Sequence, residues 1–182
     1  MRYPESPRDV HRACIGLGSN LGDSRRLLCQ GWQAIGQVPG IKILSLSAPY
    51  RTAPVDMDSG NWFINAAGLL ETSLGPRDLL EHLLAVEQRF GRSRSPDGPG
   101  HQDRTLDLDL LLFDRLVLER ADLALPHPRM HKRLFVLAPL AEIAPKYYHP
   151  VLKKTVWELF LELRNTTRPG EVERTGWRDA VS

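Results

Sequence analysis

Arg104-Thr105-Leu106-Asp107-Leu108-Asp109-Leu110-Leu111-Leu112-Phe113-Asp114 opens with leucines alternating against acids, and that alternation decides the type of fold. Leu106, Leu108 and Leu110 fall on one side of a period-2 pattern, Asp107 and Asp109 on the other, as in a half-buried strand. At about 3.3 Å of rise per residue, both carboxylates share one face with Cβ atoms roughly 6.5–7 Å apart. Like charges side by side on a strand repel and weaken it, so something must compensate them. A hard divalent cation such as Mg²⁺ does this well, because it prefers carboxylate oxygens and keeps water and phosphate ligands too. The spacing also suits two such ions about 3.5–4 Å apart. An acidic face turned to plain solvent is the competing explanation.

Working outward, Cys14-Ile15-Gly16-Leu17-Gly18 reads as a short strand ending in a glycine-rich turn. Ser24 can cap a helix running to about Val38 that carries Leu27, Leu28 and Ile35. Ile41 to Pro49 and Trp62 to Glu71 read as two further strands. Pro76 sits where a first helical residue should and Gly91 just past the end, with Leu80, Leu83, Glu87 and Phe90 on one stripe between them. The order is βαββαβ once the Leu106 strand is added. This predicts a ferredoxin-like α+β domain with a mainly antiparallel sheet, its helices on one face and the other face open to a ligand. Thr155-Val156-Trp157-Glu158 is a capping-box start to a C-terminal helix through Arg164. The domain is expected over 13–165, with an N-terminal extension over 1–12 and a C-terminal tail over 166–182.

A chain of 182 residues, 42% hydrophobic and 25% charged, is ordinary for one globular domain. A net charge of +2 is too small to argue for nucleic acid or an anionic membrane. Cys14 and Cys29 have neither metal-site spacing nor the density of a disulfide scaffold, so reduced thiols are expected. Residues 1–12 lack the apolar core of a signal peptide, and no run reaches membrane-spanning length. A soluble cytoplasmic protein is therefore expected.

Glu87 stands out on its helix, since a carboxylate within an apolar stripe is costly unless paired. Arg92 and Arg94 follow it closely, and Arg104 closes the next segment. Ser93 to Asp103 between them has loop composition without apolar anchors. A loop bracketed by arginines beside paired acids fits phosphoryl chemistry, because guanidinium forks grip phosphate oxygens and closure excludes water. Solvated surface charge explains any one of these arginines, but three around one loop less readily. Leu125 to Phe135 adds two histidines and three cations, for which hydrogen bonding to phosphate fits better than metal ligation. Gly16-Leu17-Gly18-Ser19-Asn20-Leu21-Gly22 superficially matches a dinucleotide fingerprint, but the next strand lacks a ribose-binding acid and the element order does not repeat βαβ. A Walker A loop is absent.

Six blocks of the chain together resemble a known enzyme family. They are Gly16-Leu17-Gly18-Ser19-Asn20-Leu21-Gly22-Asp23, Tyr50-Arg51-Thr52-Ala53-Pro54, Asn65-Ala66-Ala67, Glu87-Gln88-Arg89-Phe90-Gly91-Arg92, Arg104-Thr105-Leu106-Asp107-Leu108-Asp109 and Pro126-His127-Pro128-Arg129-Met130. In this order they resemble the 6-hydroxymethyl-7,8-dihydropterin pyrophosphokinases, over about residues 14 to 145. The resemblance implies a monomeric enzyme of folate biosynthesis. It would transfer pyrophosphate from Mg·ATP to the pterin hydroxymethyl group and release AMP. It further implies Asp107 and Asp109 as ligands of two Mg²⁺ ions and Arg92 and Arg104 as catalytic arginines. Glu87, Arg94, Leu110, His127 and Arg133 would contact ATP, and Thr52, Val55, Phe63, Asn65 and Phe135 the pterin. The residue chemistry agrees: Phe63 and Phe135 suit a flat heterocycle and Asn65 its polar edge.

The chain departs from the family pattern in several places. Gly100-His101-Gln102-Asp103 replaces a Trp-Gly-Pro, and the loop before Arg104 is longer. Leu84 stands for a glutamine, Pro128 for an aromatic residue and Phe63 for a tyrosine. A paralogue that binds pterin or nucleotide without catalysing is therefore the alternative. An RNA-binding ferredoxin-like module is a third, but it calls for stacked aromatics and a basic sheet face, which the sequence lacks.

Overall fold

The computed structural model describes residues 10–53, 61–91, 104–168 and 170–177. In chain order its elements are β1 (His11–Ser19), α1 (Ser24–Gly36), β2 (Ile41–Leu46), β3 (Tyr50–Thr52), β4 (Phe63–Thr72), α2 (Pro76–Arg89), β5 (Asp107–Phe113), β6 (Leu118–Glu119), β7 (Ala124–Leu125), α3 (Leu134–Ile143), β8 (Tyr148–His149), β9 (Lys154–Thr155), α4 (Val156–Arg164) and β10 (Val172–Arg174). A single 3₁₀ turn, Met130–Lys132, precedes α3. The main sheet runs β10-β3-β4-β1-β5, with β2 also on β4, and every pairing is antiparallel. The expected βαββαβ arrangement is present.

β1 lies between β4 and β5, so it is apolar on both faces. Ala13, Ile15 and Leu17 point into a core with Leu28, Trp32 and Ile35 of α1 and Leu79, Leu83 and Val86 of α2. Leu106, Leu108 and Leu110 join them, which turns Asp107 and Asp109 to the opposite face. The alternation stops at Leu111 for a structural reason. Ile15 pairs with Leu110 but Cys14 with Leu112, so Leu111 is an extra residue, a β-bulge. Beyond it the phase switches, and the run Leu110–Phe113 can be apolar throughout.

Four details differ from the sequence reading. The helix cap is Asp23, whose side chain accepts the Arg26 N–H, rather than Ser24. The strand expected over Ile41 to Pro49 ends at Leu46 as β2, and a further short strand, β3, follows beyond Pro49; both pair with β4. The face expected to be open carries α3 and α4 over part of its area, with Leu137, Leu140, Val156 and Leu159 packed on Cys14, Ala67 and Leu112. Finally, the segment after residue 165 supplies β10, which extends the sheet past β3. The capping box at Thr155 and Glu158 is present.

Trp32 of α1 packs against Gly68 of β4, and a Cβ built on Gly68 runs into the indole ring. The helix is seated on the sheet at this contact. Gly68→Ala is expected to cost about 1–3 kcal/mol through overpacking, which at this size lowers Tm by roughly 2–4 °C per kcal/mol. Thermal unfolding followed by circular dichroism measures it; an unchanged Tm would show that the helix can shift freely.

Candidate active site

β5 pairs with β1 so that Asp107 faces Gly18 and Asp109 faces Gly16. The missing side chains matter here. A Cβ on Gly18 would come within 3.2 Å of Asn65 Oδ1, so glycine keeps the ground between Asn65 and Asp107 clear. On the α2 side, Glu87 is buried, and its Oε1 accepts the backbone N–H of Leu108 at 2.7 Å. The costly carboxylate of the apolar stripe thus bonds the strand between the two aspartates.

Arg104 is held at both backbone groups by the β1–α1 turn. Its N–H donates to Asn20 Oδ1 at 2.6 Å, and its carbonyl accepts the Asn20 N–H at 3.0 Å. So fixed, its guanidinium pairs with Asp107. The glycine-rich turn that imitates a dinucleotide fingerprint serves here to place an arginine. Thr105 ties the same segment to the end of α2 through Phe90 O at 2.6 Å.

A cavity of about 620 Å³ opens over this face. Asp107, Asp109, Arg104, His127 and Arg133 line one part of it, and Thr52, Phe63, Asn65 and Phe135 another. Asn65 Nδ2 donates to Thr52 Oγ1 at 2.8 Å, and the Arg133 guanidinium lies 5.6 Å from the Phe135 ring centre. An adjoining hollow of about 200 Å³ shares Asp107, Asp109 and His127 and has Glu87, Leu110, Leu84 and Pro128 in its wall. The candidate residues that are described therefore gather at one place. Arg92, Arg94 and Val55 lie outside the described residues.

Arg129 and Lys132 also line the larger cavity. They belong to the cation-rich Leu125–Phe135 segment, whose composition was the signal for them. Thr167, Glu171 and Val172 line it too, and no motif pointed to these.

The electrostatics of the site are set by burial and by neighbouring charge. Burial, and then the Asp107 charge, push the Asp109 carboxyl above the ordinary carboxylate range, against the pull of His127, Arg133 and Arg104. Burial likewise pushes His127 down, with Arg133 and Arg129 adding to it and Asp109 opposing. His127 Nδ1 accepts the Arg129 N–H at 3.2 Å, so the neutral ring carries its proton on Nε2. Two hard oxygen donors that disfavour each other's charge fit a divalent cation. Among the described residues no cluster of three or more His, Cys, Asp or Glu forms a complete metal cage. A pair of carboxylates suits an ion that takes its other ligands from water and phosphate.

Paired acids ringed by arginines, beside an aromatic-lined recess, define a class: sites for polyphosphate transfer to a flat acceptor. The comparisons with known proteins narrow it. Residues 14–145 match the model of the 7,8-dihydro-6-hydroxymethylpterin-pyrophosphokinase (HPPK) family, and the chain belongs to that family. It is 45% identical over 132 residues to the 2-amino-4-hydroxy-6-hydroxymethyldihydropteridine pyrophosphokinase of Bacillus subtilis, covering 72% of this chain and 77% of that protein. The protein of the same name from Methylorubrum extorquens is 42% identical over 135 residues, 74% of this chain and 83% of its own length. In fold the chain is similar to a crystal structure of Plasmodium falciparum HPPK-DHPS, with a TM-score of 0.70 at 14% identity. That likeness covers 93% of this chain and 48% of the other, so the chain spans about half its length.

Because Asp109 is held above its ordinary range, its ionised form opposes folding of the unliganded protein. The penalty is absent below the unfolded carboxyl value, where both states are protonated, and grows as pH rises through the raised folded value. Asp109→Asn should therefore raise Tm at pH 7 by about 3 °C, roughly 1 kcal/mol of relief at a functional site. The gain should shrink as pH falls toward about 4. Thermal melts across this range check the sign; a loss of stability at pH 7 would contradict it.

Proposed function

We propose that the chain transfers the pyrophosphoryl group of ATP to the hydroxymethyl oxygen of 6-hydroxymethyl-7,8-dihydropterin at the cavity around Asp107 and Asp109. It is a member of a pyrophosphokinase family, a transferase of folate biosynthesis, and this is the family's reaction. The observation that supports the placement is the joining of the acid pair to the aromatic recess within one cavity.

On this reading Phe63 and Phe135 hold the pterin ring between them, and Thr52, Asn65 and Val55 meet its polar edge. Glu87, Leu110, His127, Arg133 and Arg94 receive ATP. Leu110 and Glu87 lie on the side of the smaller hollow, while His127 and Arg133 border the larger cavity. Asp107 and Asp109 would hold two Mg²⁺ ions, which supply neutralisation of the triphosphate charge when bound. Arg104, with Arg92 from the loop, steadies the charge that develops during transfer.

The transfer is direct. The hydroxymethyl oxygen attacks the β-phosphorus of ATP, the bond from that phosphorus to the α,β-bridging oxygen breaks, and AMP departs with that oxygen. The hydroxyl proton passes to solvent. No covalent enzyme intermediate is needed, so positioning by Asn20-held Arg104 and by the β5 acids supplies most of the rate. The chain is read as a cytoplasmic monomer acting on small molecules, without nucleic acid or membrane partners. Its ATP substrate and two free cysteines support the cytoplasmic part of that reading.

Asp107→Ala and Asp109→Ala should each lower pterin-dependent AMP formation by at least about a thousandfold while circular dichroism stays native. Substantial AMP formation in either variant would remove the acids from the reaction. Pterin and ATP binding without AMP release in the wild type would identify the non-catalysing alternative.

A further inference from the structure

The family match ends at residue 145, yet the cavity wall does not. After α4 the chain turns at Gly170, where φ is +87°, and returns along β3 as β10. The pairing sets Val172 against Thr52, Glu173 against Arg51 and Arg174 against Tyr50. This return is firmly built. Glu142 of α3 accepts from Arg174 Nε at 3.1 Å, from Tyr50 Oη at 3.0 Å and from the Ala48 N–H at 3.0 Å. Thr175 N–H donates to Pro49 O at 2.8 Å, and Trp177 Nε1 donates to Ser47 O at 3.1 Å. Burial pushes the Glu142 carboxyl up, but the hydrogen bonds from Arg174, the Ala48 N–H and the Tyr50 hydroxyl together hold it below its ordinary range, so the clamp is charged at neutral pH.

The consequence falls on the recess assigned above to the pterin. Val172 is locked beside Thr52, and both line the cavity together with Ala53, Glu171, Phe63 and Phe135. A pterin carries adjacent N–H and amino donors along its pyrimidine edge, a guanidine-like pair that a carboxylate accepts with two parallel hydrogen bonds. The Thr52 hydroxyl oxygen, which accepts from Asn65 and keeps a second lone pair, is a neutral acceptor, so a carboxylate brought alongside adds charge-assisted acceptance here. We propose that Glu171 is a specificity-determining residue of this enzyme, bringing a carboxylate from the position just before the C-terminal strand to the donor edge of the pterin ring. This rests on placing the ring between Phe63 and Phe135.

Glu171 is exposed, so its replacement leaves the core intact. The test is an equilibrium titration of 6-hydroxymethylpterin, followed by its own fluorescence, with Mg²⁺ and a non-hydrolysable ATP analogue present. Glu171→Ala is expected to weaken pterin binding about tenfold, in line with loss of a hydrogen bond to a charged group. Glu171→Asp should recover part of that loss, and nucleotide affinity should stay within about twofold. Unchanged pterin affinity in Glu171→Ala, or an equal loss of nucleotide affinity, overturns the proposal. Binding is read without turnover, so failure of this idea and failure of the transfer reaction in the wild type are separate results.

Discussion

Two acids on one strand face, with glycines opposite them, are the constraint from which the rest of the site follows. Asp107 and Asp109 repel each other, and burial makes the charge on Asp109 harder still to hold. The fold answers from several sides. Arg104 pairs with Asp107, and Arg133 and His127 bear on Asp109 from the segment after β7. Glu87 secures the strand itself through the Leu108 N–H. These neighbours soften the repulsion without removing it, so a cation-demanding spot remains beside an aromatic recess. On the proposed function a divalent ion would relieve that residual repulsion.

The same constraint explains the glycine-rich turn after β1. In a dinucleotide fold such glycines would admit a pyrophosphate to a helix N-terminus. Here the Gly16 and Gly18 positions face the acids across the β1–β5 pairing, and Asn20 clasps the backbone of Arg104. On the proposed function the turn serves phosphate chemistry indirectly, by placing a guanidinium and leaving room.

Much of this could be read in the sequence, because the period-2 pattern at Leu106–Leu110 and the Pro76 to Gly91 helix are local signals. The acid pair, Arg104 and the 127–135 segment were visible in that way, whereas Phe63 and Asn65 were picked out by the resemblance to the family. What stayed hidden depends on long-range pairing. α3 is apolar almost all round and carries Pro139, so it has no amphipathic stripe to reveal it; it is buried against both β4 and α4. β10 is three residues, Val-Glu-Arg, with no alternation to detect, and exists because β3 offers it an edge. The Leu111 bulge was likewise masked, since a four-residue apolar run looks alike with or without a change of phase.

The claim at the centre is that Asp107 and Asp109 make nucleotide binding depend on a divalent ion. Calorimetric titration of the chain with a non-hydrolysable ATP analogue, in Mg²⁺ and again in EDTA, tests it most directly. The account predicts measurable binding with Mg²⁺ and at least about a tenfold loss, near 1.4 kcal/mol, once the ion is chelated. Equal affinity under both conditions would contradict it.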